Sequence, residues 1–326
     1  MFWDKISNLL SLSFRETRML QRLAEAFASL PCLLLRFKFR QLAATFMAII
    51  ELFGALFGLT PLTPRGQRIN LDEWDLVWSD EFDGGSLDTA KWSTTWNHER
   101  RGGYWHGDQV LVEDGALRIR TEYKTTELGT GWHSGLIETK DLFEPTYGYY
   151  EVSCICPGAN GLWAAFWFLS EGMFTTPTGN AANGCEIDVF ESGFYGHRQK
   201  RFRQAVNQAA GFDGYTPGVS SGQILGHYTG EDIYEQYNTF GLEWNENEII
   251  WYINGVETDR MTGKWVPQSP HWLILSVEVA GNDGNPGIGG DGVPFDDPGK
   301  NIETNDPGIF PLDFIVDYVR VYERRG

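Results

Sequence analysis

Cysteine is scarce. There are four in 326 residues, at positions 32, 154, 156 and 185, and neither they nor the six histidines form a metal-binding spacing. Free, buried thiols are expected. Cys154 and Cys156, two apart on one strand face, point the same way and are poorly placed to bridge each other, which leaves Cys185 as the candidate for a disulfide. Positive charge is also in short supply: 26 Lys and Arg stand against 44 Asp and Glu, a net charge of −18. Such a surface repels nucleic acid and suits sulfated or carboxylated polymers poorly in bulk, although a local basic cluster could hold one; neutral ligands fit better. Beyond Leu76 no long stretch of 3.6-residue periodicity appears, which excludes a helical body.

The charge is uneven. Residues 1–66 carry eight Lys and Arg against four acids, a net of +4, so the remainder carries −22. Leu, Phe and Arg recur at helical spacing from Ser13 to Gln41, and the apolar run Leu42 to Leu62 follows, broken by Glu51 and two threonines. A membrane helix over 42–62 is the expectation. Arg36, Lys38 and Arg40 lie just before it, which keeps the N-terminus cytoplasmic and sends the acidic body to the cell surface or beyond it. An interfacial or partner-binding helical hairpin and a late-cleaved leader are the alternatives, since the run starts late for a signal peptide. Pro61 to Gly66 breaks any helix and serves as a linker. Two parts result: a helical, hydrophobic segment over 1–66 and a body over 67–326, long enough to bury a large core and expected to act as a monomer.

The body is predicted to be all-β. Short runs rich in Val, Ile, Tyr, Phe and Trp alternate with Gly, Asn, Asp and Pro, the pattern of a sandwich. Strands are expected at Leu117–Tyr123, Gly148–Cys156, Leu162–Leu169, Glu186–Glu191, Asn238–Trp244, Glu248–Ile253, Trp272–Val279 and Phe314–Tyr322, with Asn254-Gly255 as a hairpin turn. Gly281 to Pro311 reads as loop and is placed at the edge of a binding cleft.

One run departs from ordinary core composition. Glu186-Ile187-Asp188-Val189-Phe190-Glu191 sets three carboxylates in an apolar, β-prone stretch. Acids are rarely buried unpaired, and acids held close push one another's pKa apart, so such a run points to chemistry. On a regular strand Glu186 and Asp188 share a face while Glu191 points to the other. A β-bulge at Val189-Phe190 brings Glu191 round to join them. An acid-decorated edge strand has the same acids, but Ile187, Val189 and Phe190 belong to a sheet interior.

Eight segments in order resemble glycoside hydrolase family 16: Trp78–Gly84, Leu87–Trp92, Tyr147–Glu151, Gly161–Trp167, the acidic hexapeptide, Phe240–Trp244, Ile250–Gly255 and Asp317–Tyr322. The resemblance spans Leu76 to Tyr322. It implies a β-jelly-roll sandwich of the concanavalin A-like kind with a concave substrate cleft, and a retaining endo-hydrolase of β-1,3- or β-1,3/1,4-glucans. Red-algal galactans are the alternative substrate. A cell-wall transglycosylase shares the chemistry, and a carbohydrate-binding module shares the fold without the catalysis. Carried over, Glu186 is the nucleophile, Glu191 the acid/base, and Asp188 the residue between them. No cofactor is needed for catalysis.

Aromatic side chains are expected to grip sugar rings. Trp163 and Trp167, four apart on one strand face, are candidates, although both could be core. The segment Trp96 to His106, with Arg101, Trp105 and His106, suits a sugar subsite on a loop, and it departs from the Gly-Asn-Asn-Glu of laminarinases. Arg100 and Arg101 keep a sulfated galactan in view. The resemblance also implies a structural calcium, held by main-chain oxygens of Glu81 and Gly115 and the carboxylate of Asp317, oxygen donors that suit a hard ion.

Overall fold

The computed structural model describes residues 61–62, 66–94, 96–174, 185–192, 202–209, 215–225, 227–228, 232–264, 266–286 and 301–326. The chain divides into Met1–Thr60 and Pro61–Gly326. Cys32 and the expected membrane helix up to Thr60 lie outside the described residues. Pro61 and Leu62, the end of that apolar run, form a short parallel pairing with His227–Tyr228 instead of a helical turn. Among the described residues no helix is long and apolar enough to cross a membrane.

In chain order the strands are β1 (Pro61–Leu62), β2 (Trp74–Asp80), β3 (His98–Arg100), β4 (Gly103–Trp105), β5 (Val110–Glu113), β6 (Ala116–Thr126), β7 (Gly129–Ser134), β8 (Leu136–Glu138), β9 (Gly148–Ile155), β10 (Leu162–Leu169), β11 (Glu186–Glu191), β12 (Phe202–Ala209), β13 (Tyr215–Leu225), β14 (His227–Tyr228), β15 (Asn238–Trp244), β16 (Glu248–Ile253), β17 (Val256–Thr262), β18 (Trp272–Val279), β19 (Gly281–Asn282), β20 (Asn285–Pro286) and β21 (Leu312–Arg324). One sheet runs β13-β12-β11-β10-β18-β8. The other runs β17-β16-β15-β9-β21-β6-β7-β4-β3, with β2 added to β21 and β5 to β6.

Alternation along the strands builds the core between these layers. Leu162, Ala164, Phe166 and Phe168 of β10 and Leu273, Leu275, Val277 and Val279 of β18 meet Tyr150, Val152 and Cys154 of β9 and Phe240, Leu242 and Trp244 of β15 in one buried cluster. The sequence bounds of β10, β11, β15, β16 and β18 match those expected. The Asn254-Gly255 turn joins β16 to β17 with both residues at positive φ (48° and 72°), as a two-residue hairpin of that type requires.

Three differences appear. Trp96 to His106, expected as loop, holds the hairpin β3–β4, which turns at Arg101 (φ 52°) and Gly102. A Cβ on Gly102 would sit 2.1 Å from the Ala280 carbonyl oxygen, so the turn docks on the backbone after β18 where only glycine fits. Strands β2, β5, β7, β8, β12 and β13 were not anticipated, because their sequences are short, polar or lack clean alternation, whereas β17 is the second arm of the expected Asn254-Gly255 hairpin. Cys154, Cys156 and Cys185 are free and buried, so Cys185 forms no disulfide.

Candidate active site

β11 carries the expected bulge. Against β10, Ala165 pairs with Glu191, Phe166 with Phe190, Trp167 with Asp188 and Leu169 with Glu186, and the register shifts between Phe166 and Trp167. Against β12, Asp188 faces Ala205 and Glu191 faces Arg203, so three steps along β11 span two on its neighbour. The extra residue turns both Val189 and Phe190 into the core, where Phe190 stacks on Phe240 at 4.1 Å. Glu186, Asp188 and Glu191 are thereby left together on the outer face. Asp188 and Glu191 are nevertheless buried, at 3% and 8% exposure, and Glu186 is half-buried. From the opposite sheet, Trp251 of β16 donates its indole N–H to the Asp188 carbonyl at 3.0 Å, which braces the strand at the bulge.

The registers extend the acids into a floor. One row runs Asp188, Trp167, Ile274, Glu138 and the next runs Glu191, Ala165, Ser276, Leu136. Trp105, Leu136, Ala165, Trp167, Leu169, Met173, Trp272 and Ile274 form a second apolar cluster on this side, separate from the core, with Trp96 packed against it. Trp167 donates its indole N–H to Ser276 Oγ at 3.0 Å.

The expected ligand residues are distributed unevenly. Trp163 and Arg101 meet each other, the guanidinium carbon lying 4.7 Å from the indole centroid. Arg101 and Arg100 both bind Glu278, the cross-strand partner of Trp163, so the hairpin is clamped to the floor by two cations on one buried carboxylate. Trp105 corrects the expectation of direct sugar contact. It is 1% exposed, its N–H is donated to the Val277 carbonyl at 2.8 Å, and it underlies the floor as packing. His106, next along the chain, turns to the other side of the strand, where its Nε2 lies 3.0 Å from Glu127. Glu138 and Glu278 were not singled out from the sequence, and Trp96 only as the first residue of the segment expected to form a sugar subsite. The rule applied to the hexapeptide, an acid inside an apolar β run, also marks Leu136-Ile-Glu138 and Val277-Glu278-Val279.

Burial dominates the electrostatics around this face. It pushes the Glu138 carboxyl above its usual range, against the opposing indole N–H of Trp96 and the charge of Lys140. The Cys185 thiol is raised well above its ordinary value, first by burial and then by Glu186 and Asp188. It stays protonated and lies 3.6 Å from His271 Nε2, while His271 Nδ1 donates to the Ser269 carbonyl at 2.8 Å. His271 is fully buried and held neutral, its pKa lowered to about 4 by desolvation.

The expected calcium ligands converge in register. β21 pairs with β6 up to Val316–Leu117 and with β2 from Val319–Asp80, which sets Gly115, in the turn before β6, and Glu81, just after β2, beside the bulge at Asp317. The Glu81 carboxylate is taken by Arg320 through two hydrogen bonds of 3.0 and 2.7 Å, so its main-chain oxygen is the donor that remains for an ion. This main-chain-plus-carboxylate donor set fits a hard cation. Among the described residues no three or more His, Cys, Asp or Glu side chains form a metal-holding group.

Comparison with known proteins places this geometry. The family model described as β-porphyranase A-D, GH16 domain, matches residues 74–324. The chain belongs to that group of glycoside hydrolase family 16. The glucan endo-1,3-β-glucosidase A1 of Niallia circulans is 28% identical over 300 residues, covering 82% of this chain and 39% of that relative. The β-glucanase of Rhodothermus marinus is 27% identical over 286 residues, covering 76% and 85%. The chain thus spans well under half of the first relative and most of the second. The catalytic domain of a laminarinase from Thermotoga petrophila RKU-1 matches at a TM-score of 0.62 and 28% identity, over 78% of this chain and 99% of that one. The sandwich is the family 16 jelly roll, and the chain is a glycoside hydrolase.

Proposed function

We propose that the family 16 domain is a retaining endo-glycosidase of β-1,3- or β-1,3/1,4-glucans, with Glu186 as nucleophile, Glu191 as acid/base and Asp188 holding Glu186. One observation carries this: the bulge that gathers all three carboxylates on the outer face of β11. Retaining hydrolysis needs two carboxyls about 5–5.5 Å apart on either side of the sugar bond. Glu186 attacks the anomeric carbon while Glu191 gives its proton to the departing glycosidic oxygen. Water then attacks the glycosyl-enzyme ester, Glu191 takes the water's proton, and Glu186 leaves as carboxylate. Two inversions return the original configuration. Asp188, between them and 3% exposed, is the residue placed to hold Glu186.

The names of the glucanase relatives support the glucan. A galactan is the second reading, favoured by the porphyranase description of the matching family and by Arg100 and Arg101, which set two cations on one carboxylate beside Trp163. Incubation with laminarin, lichenin, agarose, porphyran and carrageenan, counting new reducing ends and following the anomeric configuration by NMR, decides between them. Hydrolysis with inversion would refute the mechanism, and longer as well as shorter products would mark a transglycosylase. We also propose a structural calcium at Glu81, Gly115 and Asp317, and delivery of the body to the cell surface or beyond, with the part of the apolar run before Pro61, residues 42–60, as an anchor; the basic flank of that run supports the orientation.

A further inference from the structure

We propose that Glu138 is a positioning residue for sugar binding: its carboxylate holds the indole of Trp96 as the open platform at the far end of the row that begins at Asp188. The inference rests on the glycosidase reading and deepens it. Of the aromatics on the floor, Trp105, Trp167 and Trp272 are 1%, 9% and 1% exposed, and Arg101 covers a face of Trp163. Trp96 is only half-buried. It lies in the segment between Trp92 and β3, where a single bridge of Ser93 to the Glu138 backbone anchors the chain three residues before it and leaves the indole to be oriented by side-chain contacts. Three contacts orient it: its N–H is donated to Glu138 Oε1, it packs edge-on with Trp105 at 6.1 Å, and it lies 5.7 Å from the His98 ring.

Packing alone does not explain the carboxyl. Glu138 is 3% exposed beside Leu136 and Ile274, where an apolar side chain would fill the space without desolvating an acid. Its second oxygen is enclosed and, among the described residues, makes no close hydrogen bond, with the Trp272 indole acting on the carboxyl more weakly than Trp96. Of the charges around it, Lys140 lies over Trp272 at 4.5 Å and is paired with Glu171 at 2.6 Å, and Asp141 is the remaining acid within electrostatic reach. Among the described residues the hydrogen bond that fixes the Glu138 side chain is the one to the platform, and the buried Trp272 indole is the other N–H that acts on its carboxyl. Three strand spacings, roughly 14 Å, separate β8 from β11, so the platform meets sugars remote from the bond being cut.

The test compares Trp96→Ala, Glu138→Leu, Glu138→Gln and the Trp96→Ala/Glu138→Leu double variant of the full chain on the polysaccharide it cleaves best and on the shortest oligosaccharide it cleaves. Trp96→Ala and Glu138→Leu are each expected to raise KM for the polymer about tenfold, the scale of one aromatic stacking contact, with kcat within about twofold and little change on the short substrate. The double variant should be no worse than Trp96→Ala. Glu138→Gln, whose amide carbonyl still accepts the indole N–H, should stay near wild type. Unchanged KM in Trp96→Ala, additive losses, or Gln and Leu behaving alike would overturn the proposal. Should the wild-type chain cleave none of the five polysaccharides, the hydrolase reading fails on its own; retardation in gels cast with each polysaccharide then reads the platform, and Trp96→Ala migrating like wild type would sink it.

Discussion

Deleting Val189 tests the bulge directly. Between Asp188 and Glu191 the chain takes three steps, while Trp167 to Ala165 on one side and Ala205 to Arg203 on the other take two. Removing one residue makes the counts equal. Phe190 then fills the single inward position, and Glu191 keeps its cross-strand neighbours and its face. The loss is one fully buried valine, about 2 kcal/mol, offset in part by about 1 kcal/mol for a regular ladder hydrogen bond. The melting temperature should fall by only a few degrees. Activity should drop by no more than about 100-fold, the scale of an ångström-sized misplacement, and adding Glu191→Gln should abolish what remains. Deleting Val189 and Phe190 together is the counter-test. It turns Glu191 inward and removes a ring stacked at 4.1 Å on Phe240, costing about 3–5 kcal/mol for the ring and several more for the acid, enough to unfold the body. Circular dichroism melts and reducing-end assays on both variants suffice. A single-deletion variant that is folded but inactive, or a double-deletion variant that still turns over, would refute the geometry.

Other outcomes follow from the same contacts. Glu186→Gln should eliminate turnover, by at least about 100-fold, while retardation in substrate gels stays near wild type; lost binding would show that Glu186 serves affinity instead. Stability should weaken with acid because of His271, which is neutral in both folded and unfolded chains above about pH 6.5. Below that the unfolded chain takes a proton that the buried ring refuses until about pH 4, so up to about 3 kcal/mol is lost over this window. Denaturant melts of His271→Gln should be flatter between pH 6.5 and 4, and an unchanged slope would count against it. Chelation should lower the melting temperature of the wild-type chain and leave Asp317→Ala unaffected, with calcium restoring only the former; equal response in both would remove Asp317 from the cation site.

The all-β sandwich was legible in the sequence, because alternation with period two is written residue by residue and Leu162–Leu169 or Trp272–Val279 cannot bury both faces otherwise. The bulge was legible too, since three acids in Glu186–Glu191 share a face only if one residue is extra. Polar strands such as Tyr215–Leu225 escaped, as their pairing comes from neighbouring strands and not from their own pattern. The fate of each aromatic was also hidden. Trp105 and Trp96 sit in one segment, yet the docking of the β3–β4 hairpin on β18 buries the first and leaves the second half open. Arg101 looked like a ligand residue, and Glu278, 177 positions away, turns it into half of a clamp. Which side chains are chemically unusual is a local property of composition and spacing. Which of them meet, and which stay reachable, depends on contacts between residues far apart in the chain, and those exist once the two sheets and the hairpin pack.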